Sequence, residues 1–427
     1  MTVVHDDGLP PPFLCFLSRN EEKTRRRRMP STLIQEESMY RFRALCVLCA
    51  LAACALPADD ALTQTSVNPD ISVIPRFLIS TNDGEKLSEG TRVFSRPDLQ
   101  FEELEIAFQS YLNPFSKADV VLTLPGPDLE AGKLGIEEAY ATVFRGLPLD
   151  LNVRFGKYRV EFGKLNIVHP HAWPFVTAPL LQARFLGEAI NDLGISASVL
   201  LPTGDIYTKL TVDLLRGTSI AGVTGIADTT GASPYYANAA RLMSFFPLGE
   251  MSDCEAGLSG YTGIHDPYWR DRFWYGNLDF KYKYRPDFYT SLVVQGEYLY
   301  NTRTAHQDGS LVPFLGADGK PEARKITTSG FYLYADCQFF KIYSIGARYD
   351  WTESPYHADE RAHGIAVFVG YYPVEETLGL RLQYANTTTE TPAAQPAAVS
   401  SAGLTQSVNS IALQVLFSLG PHKAHPF

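Results

Sequence analysis

The feature that most constrains this chain is a period of two. From residue 71 onward apolar and polar side chains alternate, as they do in strands whose two faces meet different environments. Leu278, Phe280, Tyr282 and Tyr284 share one face, and Asn277, Asp279, Lys281 and Lys283 the other. Leu149, Leu151, Val153 and Phe155 oppose Asp150, Asn152 and Arg154, while Leu378, Leu380, Leu382 and Tyr384 oppose Arg381 and Gln383. The last long run, Ile411, Leu413, Val415, Phe417 and Leu419, opposes Ser410, Ala412, Gln414 and Ser418. Helical periodicity is scarce, so the chain reads as all-β.

Composition narrows the class. An aromatic share of 12% in 427 residues is too high for a solvated, disordered chain. The mean hydropathy is -0.09, and the one apolar run approaching a membrane-spanning helix lies near the N-terminus. A net charge of -10 argues against a nucleic-acid partner, whose phosphates need a basic surface. A soluble β-protein and a membrane β-barrel remain.

Residues 1 to 58 read as an upstream extension and an export signal. Met39-Tyr-Arg-Phe-Arg forms a basic n-region, Ala44 to Leu56 an apolar h-region, and Ala58 precedes Asp59-Asp60 as at a signal-peptidase site. Leu51-Ala52-Ala53-Cys54 also fits a lipidation box, although an Ala-rich signal end with a chance cysteine is the plainer reading. Without this segment the chain is more acidic and keeps Cys254 and Cys337, which could pair in an oxidising compartment.

Connection lengths separate sandwich from barrel. Short connections fall at 113–116, 146–148, 202–205, 248–253, 285–287, 340–341 and 373–377, with turn chemistry such as Asn113-Pro114 and Arg285-Pro286-Asp287. Long ones fall between them, at 81–99, 125–135, 158–192, 217–236, 263–273, 301–328, 353–362 and 387–406. That alternation predicts a transmembrane antiparallel β-barrel of sixteen strands, with short periplasmic turns and long extracellular loops. The predicted parts are a short periplasmic segment at 59–70, the barrel at 71–419 and a tail at 420–427, with the final strand over 407–419. Tyr298 and Tyr300, Tyr371 and Tyr372, and Tyr282 and Tyr284 suit an aromatic girdle.

Glu103-Leu-Glu-Ile-Ala-Phe-Gln-Ser, Gly156-Lys-Tyr-Arg-Val-Glu-Phe-Gly-Lys-Leu-Asn166, His169-Pro-His-Ala-Trp-Pro-Phe175, Gly187-Glu-Ala-Ile-Asn-Asp-Leu-Gly194 and Gly420-Pro-His-Lys-Ala-His-Pro-Phe427 carry a resemblance. They resemble a family of porin-like outer-membrane proteins, itself similar to phosphate-selective porins in a Gly-Lys-x-Arg-x-x-Phe-Gly strand end. Some members are labelled zinc-regulated TonB-dependent outer-membrane receptors. The resemblance implies a porin-like barrel in the outer membrane of a Gram-negative bacterium. A 22-stranded receptor with its plug needs a longer chain than residues 59 to 427 supply, so no plug domain is expected.

The polar strand faces place Glu103, Glu105, Glu138, Asp213, Asp279, Glu297 and Asp350 toward the lumen, with Arg154, Lys209, Lys281, Lys283, Arg348 and Arg381. Acids and bases are nearly balanced, which predicts weak ion selectivity. The longest connection, 158–192, holds Pro170, Pro174, Pro179, Trp173 and Phe175 and is expected to fold inward. Arg159, Lys164, His169, His171 and Arg184 are then candidates for a pore constriction. Packing of this segment over the rim or against another subunit is the competing arrangement.

Two histidine pairs, His169 with His171 and His422 with His425, are weak metal candidates, because neither has Cys or carboxylate partners at ligand spacing in the chain. A structural role fits His169 and His171 better, and no cofactor is expected. No Gly-x-Ser-x-Gly, His-Glu-x-x-His or phosphate-cradling glycine loop occurs, so an enzyme is not expected. The expected activity is diffusion of small hydrophilic solutes or ions. The alternatives are a loop-closed barrel serving as a surface adhesin or structural protein, and a metal-responsive uptake protein. The expected partners are outer-membrane lipid, the barrel-assembly machinery and the solutes, and a homotrimer is a compatible assembly.

Overall fold

The computed structural model describes residues 69–84, 93–126, 133–187, 189–219, 235–308, 312–357, 359–374, 377–391 and 404–421. The expected export signal with Cys54, and the pair His422 and His425, lie outside them. The strands are β1 (Asp70–Asn82), β2 (Asp98–Asn113), β3 (Ser116–Pro125), β4 (Gly135–Val143), β5 (Asn152–Arg159), β6 (Asn191–Leu201), β7 (Tyr207–Leu215) and β8 (Ala237–Pro247). They continue as β9 (Ser252–Asp266), β10 (Asp271–Tyr284), β11 (Ser291–Ala305), β12 (Arg324–Phe339), β13 (Tyr343–Glu353), β14 (Arg361–Val374), β15 (Leu378–Thr391) and β16 (Leu404–Phe417). Each pairs with its neighbours in sequence, and β1 pairs antiparallel with β16, so the sheet closes without an edge.

The alternation has the sense of a membrane barrel. In β13 the buried positions are Ser344, Gly346, Arg348, Asp350 and Thr352, while Tyr343, Ile345, Ala347 and Tyr349 are exposed. In β14 Ile365, Val367, Val369 and Tyr371 are exposed in the same way. A water-soluble sandwich buries its apolar face, whereas this barrel turns that face outward and encloses the polar one. Aromatic rings gather at the rims, with Tyr343 stacked on Tyr371 at 5.4 Å and Trp274 against Tyr300 at 6.1 Å. Tyr372 departs from the expected girdle, since its hydroxyl accepts a bond from Arg381 Nε at 3.1 Å.

Several local features differ from the sequence expectation, among them the alternating run at 149–155, which is strand only from Asn152. The connection expected at 263–273 shrinks to 267–270, because β9 and β10 stay paired as far as Asp266 and Asp271. The Asp266 carboxylate accepts the N–H groups of Tyr268 and Trp269 at 2.9 and 3.1 Å, closing a tight Asx-type turn. The final strand starts earlier, at Leu404, and after Phe417 it adds a bridge from Leu419 to Val73. Cys254 and Cys337 are free thiols on β9 and β12.

Two β-bulges matter for the interior. Between β1 and β2, Arg76 faces Glu103 and Phe77 faces Phe101, leaving Glu102 as the extra residue. Between β3 and β4, Val121 faces Glu138 and Leu122 faces Ile136, leaving Glu137 extra. A bulge breaks the period of two and lets consecutive side chains share a face. Arg76 accordingly meets both Glu102 and Glu103, at 3.8 and 2.5 Å.

Candidate functional site

The segment between β5 and β6, residues 160–190, lies inside the barrel. Its neck is closed by Asn166, whose Nδ2 donates to the carbonyls of Val160 and Ile190 at 2.8 and 3.1 Å and whose Oδ1 accepts Ile190 N–H at 2.8 Å. From the neck the segment reaches several walls. Glu297 of β11 accepts the N–H groups of Lys164 and Leu165 at 3.1 and 2.7 Å, and Gln383 of β15 accepts Val176 N–H at 2.9 Å. Arg348 of β13 donates to the Thr177 carbonyl at 2.6 Å and stacks over Phe175 at 4.3 Å. Asp350 accepts Leu180 N–H at 3.3 Å.

Glycine is needed where the segment meets β11. Gly163 has φ 66°, and a Cβ there would lie 2.1 Å from the Glu297 carboxylate. Around these polar anchors the segment builds an apolar core within the polar lumen. Phe162, Trp173, Phe175, Leu181 and Phe185 pack with wall residues including Tyr261, Phe273, Tyr275, Tyr334 and Phe368. Phe175 meets Tyr334 and Phe368 edge-on at 5.3 and 5.9 Å. Burial of this many aromatic rings fixes the segment far more firmly than its hydrogen bonds alone.

The five sequence-derived constriction candidates separate into three places. Arg159 forms an ion pair with Glu137 and its N–H meets Glu138 at 3.2 Å, beside His169 and His171. Lys164 pairs with Glu255 of β9 at 2.6 Å. Arg184 pairs with Glu360, between β13 and β14, at 3.3 Å. Arg159, His169 and His171 are therefore brought together, whereas Lys164 and Arg184 stand apart.

The wall candidates are largely engaged. Glu255 also approaches Arg241 at 3.5 Å, and Arg241 donates to Asp279 at 2.8 Å. Arg154 lies over the rings of Tyr140 and Tyr158 at 4.7 and 5.3 Å, and the Tyr158 hydroxyl donates to Asp213 at 3.0 Å. Lys209 pairs with Glu161 at 2.8 Å, Arg348 with Asp350 at 2.8 Å, and Arg381 donates to the His171 carbonyl at 2.8 Å. Lys281 and Lys283 lie half-buried on the inner face of β10.

The densest charge cluster joins the segment to β2 and β4. Glu105 Oε2 is 3.1 Å from Nδ1 of both His169 and His171, and the two rings are 5.6 Å apart. Glu137 Oε1 is 3.6 Å from His169 Nδ1, and Glu138 Oε1 is 3.6 Å from its Nε2. The carboxylates missing from the chain near His169 are thus supplied by two other strands. Burial and the adjacent Arg159 oppose a charge on His169, but its bonds to Glu105 and Glu138 prevail and raise its pKa to about 10. Burial lowers the pKa of Lys164 although Glu255 favours its charge, and burial resists ionisation of Glu161 although Lys209 outweighs it and lowers that pKa.

Sequence reasoning missed Glu102, Glu137, Glu161 and Glu255 as interior acids. For the first two a signal existed: Glu102-Glu103 and Glu137-Glu138 are consecutive acids inside alternating strands, the pattern that a bulge resolves.

No protein-family model matches the chain. A protein of Aquifex aeolicus strain VF5, described as uncharacterized, is 29% identical over 322 residues, 68% of this chain. The chain spans 63% of the length of that curated relative. Among solved structures, the anion-selective porin from Comamonas acidovorans aligns with TM-score 0.51 and 13% identity over 82% of this chain and 99% of its own. The outer-membrane channel DcaP of Acinetobacter baumannii gives 0.52 and 12% over 82% of this chain and 97% of its own. OmpT, an outer-membrane protein of Vibrio cholerae, gives 0.51 and 9% over 84% and 100%. At these identities the likeness is one of fold: the chain has the sixteen-stranded barrel fold of outer-membrane porins.

Proposed function

We propose that the protein is an outer-membrane channel for small hydrophilic solutes or ions, narrowed by residues 160–190. The observation that carries this reading is the inward segment itself, tied to β9, β11, β13 and β15 within a closed barrel of porin fold. Solutes pass beside the segment, and Arg159, Lys164, His169, His171 and Arg184 set the width and field of the passage. Selectivity among ions is weak in this reading, since the buried charges are paired with one another. The likeness to phosphate-selective porins does not extend to their selectivity in this reading: Arg159 of the shared motif is engaged by Glu137, and Lys164, the residue after the motif, by Glu255.

The same reading makes the protein a channel rather than an enzyme, facing lipid with its apolar belt and presenting β16 to the barrel-assembly machinery. A homotrimer belongs to it too, as OmpT of Vibrio cholerae has been solved in a trimer form. A second reading, a barrel closed by its segment and acting as a surface adhesin or structural protein, draws on the apolar core inside the lumen.

Planar-bilayer recording on the refolded protein separates the two. Stepwise openings of uniform size are expected, with a reversal potential that moves toward cations in Lys281→Glu/Lys283→Glu. A silent bilayer containing correctly folded protein would overturn the channel reading in favour of the closed barrel.

A further inference from the structure

We propose that Glu105, His169 and His171 bind one divalent transition-metal cation of the zinc class, with Glu138 orienting His169. Zinc takes nitrogen and oxygen donors in a tetrahedron at about 2.0–2.2 Å, which sets donors roughly 3.3 Å apart. Glu105 Oε2 lies 3.1 Å from Nδ1 of each imidazole, and the three donor atoms all fall within 4.8 Å of one another. Glu137 Oε1, 3.6 Å from the same nitrogen of His169, is held by the Arg159 guanidinium and so borders the donor set rather than joining it. Glu138 faces the opposite ring nitrogen at 3.6 Å, the position of a carboxylate that fixes the tautomer of a metal-bound histidine.

Charge agrees with geometry. Three carboxylates against one guanidinium, that of Arg159, give this cluster an excess of acid over fixed base, which suits a cation. Imidazole donors favour zinc, copper or nickel over magnesium or calcium, which prefer all-oxygen shells. The donors come from β2 and from the inward segment, so the bound cation ties that segment to the wall. The inference stands on this cluster alone and holds whether the barrel conducts or is closed.

The test uses the full chain, folded in detergent without a histidine tag and carrying His422→Ala and His425→Ala throughout. After chelator treatment it is titrated with Zn²⁺ against a chromophoric competitor, then again in excess Mg²⁺. The expected result is one equivalent bound and unaffected by Mg²⁺. Glu105→Gln and His171→Asn should each weaken binding about tenfold or more, and Glu138→Gln about tenfold. Circular dichroism reports whether each variant keeps its sheet. Binding that is no tighter than in a Glu105→Gln/His169→Asn/His171→Asn protein, or that Mg²⁺ displaces, overturns the site. If those variants do not fold, X-ray absorption on the zinc-loaded parent decides: two imidazoles in the first shell support the site, and an all-oxygen or sulfur shell overturns it.

Discussion

Asn166 shows how much one buried amide can carry. It is 1% exposed and bonds both ends of a segment whose neck residues, Val160 and Ile190, are themselves buried. Asn166→Ala removes four bonds, one of them from Gln182 Nε2; the two carbonyls keep the N–H groups of Val160 and Phe162, and the Ile190 N–H loses this partner at a cost of about 1–3 kcal/mol. The barrel wall, held by its own ladder, should stay folded, and the cost should fall on the segment. Faster hydrogen exchange of residues 160–190, with unchanged strand protection, is the expected outcome. Asn166 was visible in the sequence only as part of a quoted motif. Its role depends on Val160 and Ile190 meeting, which no local pattern encodes. Glu137 differs: a strict period of two assigns it to the lipid face, but the consecutive acids Glu137-Glu138 mark the bulge opposite Val121 and Leu122 that turns it inward.

At the level of elements, strands were more legible than connections. Alternation locates β13 and β14 because each residue reports its own environment, whereas the turn at 267–270 depends on the Asp266 carboxylate capping it. The inward course of 160–190 was legible as order, through its prolines and aromatic residues, but its wall partners sit far along the chain. One anchor of this segment titrates. Glu161 is half-buried, and its pKa is lowered because Lys209 and Thr211, at 2.8 and 3.1 Å, outweigh its desolvation. A depressed carboxylate contributes stability above its unfolded pKa of about 4.5 that is lost as pH falls through the folded value. Exchange protection near residue 161 should therefore hold from neutrality down through the ordinary carboxylate range and fall only at more acid pH, and Glu161→Gln should abolish that dependence. The outer face makes a separate prediction. Val367 is exposed in the middle of β14, so Val367→Arg should destabilise the barrel in lipid by about 2–4 kcal/mol, measured by reversible urea unfolding in bilayers.

For the whole molecule, wall and segment are two layers with different supports. The wall closes through an unbroken ladder from β1 round to β16, while the segment is held by aromatic packing and by carboxylates such as Glu297. A protein whose lumen segment were integral to the wall could not lose it. This one should keep its ladder when residues 165–188 are replaced by a short Gly-Ser linker, because no strand hydrogen bond runs through them. The apolar core would vanish and water would replace it against a wall lined by Arg241, Asp279, Arg348 and Arg381. If the segment narrows a channel, the shortened protein should open to a unit conductance severalfold larger than the parent, since a sixteen-stranded lumen without a filling segment is wide enough to hold free water. If the parent is silent and the shortened protein conducts, the segment is a seal rather than a constriction. Equal conductance in both would show that ions never pass beside residues 160–190, and would reverse the role assigned to them.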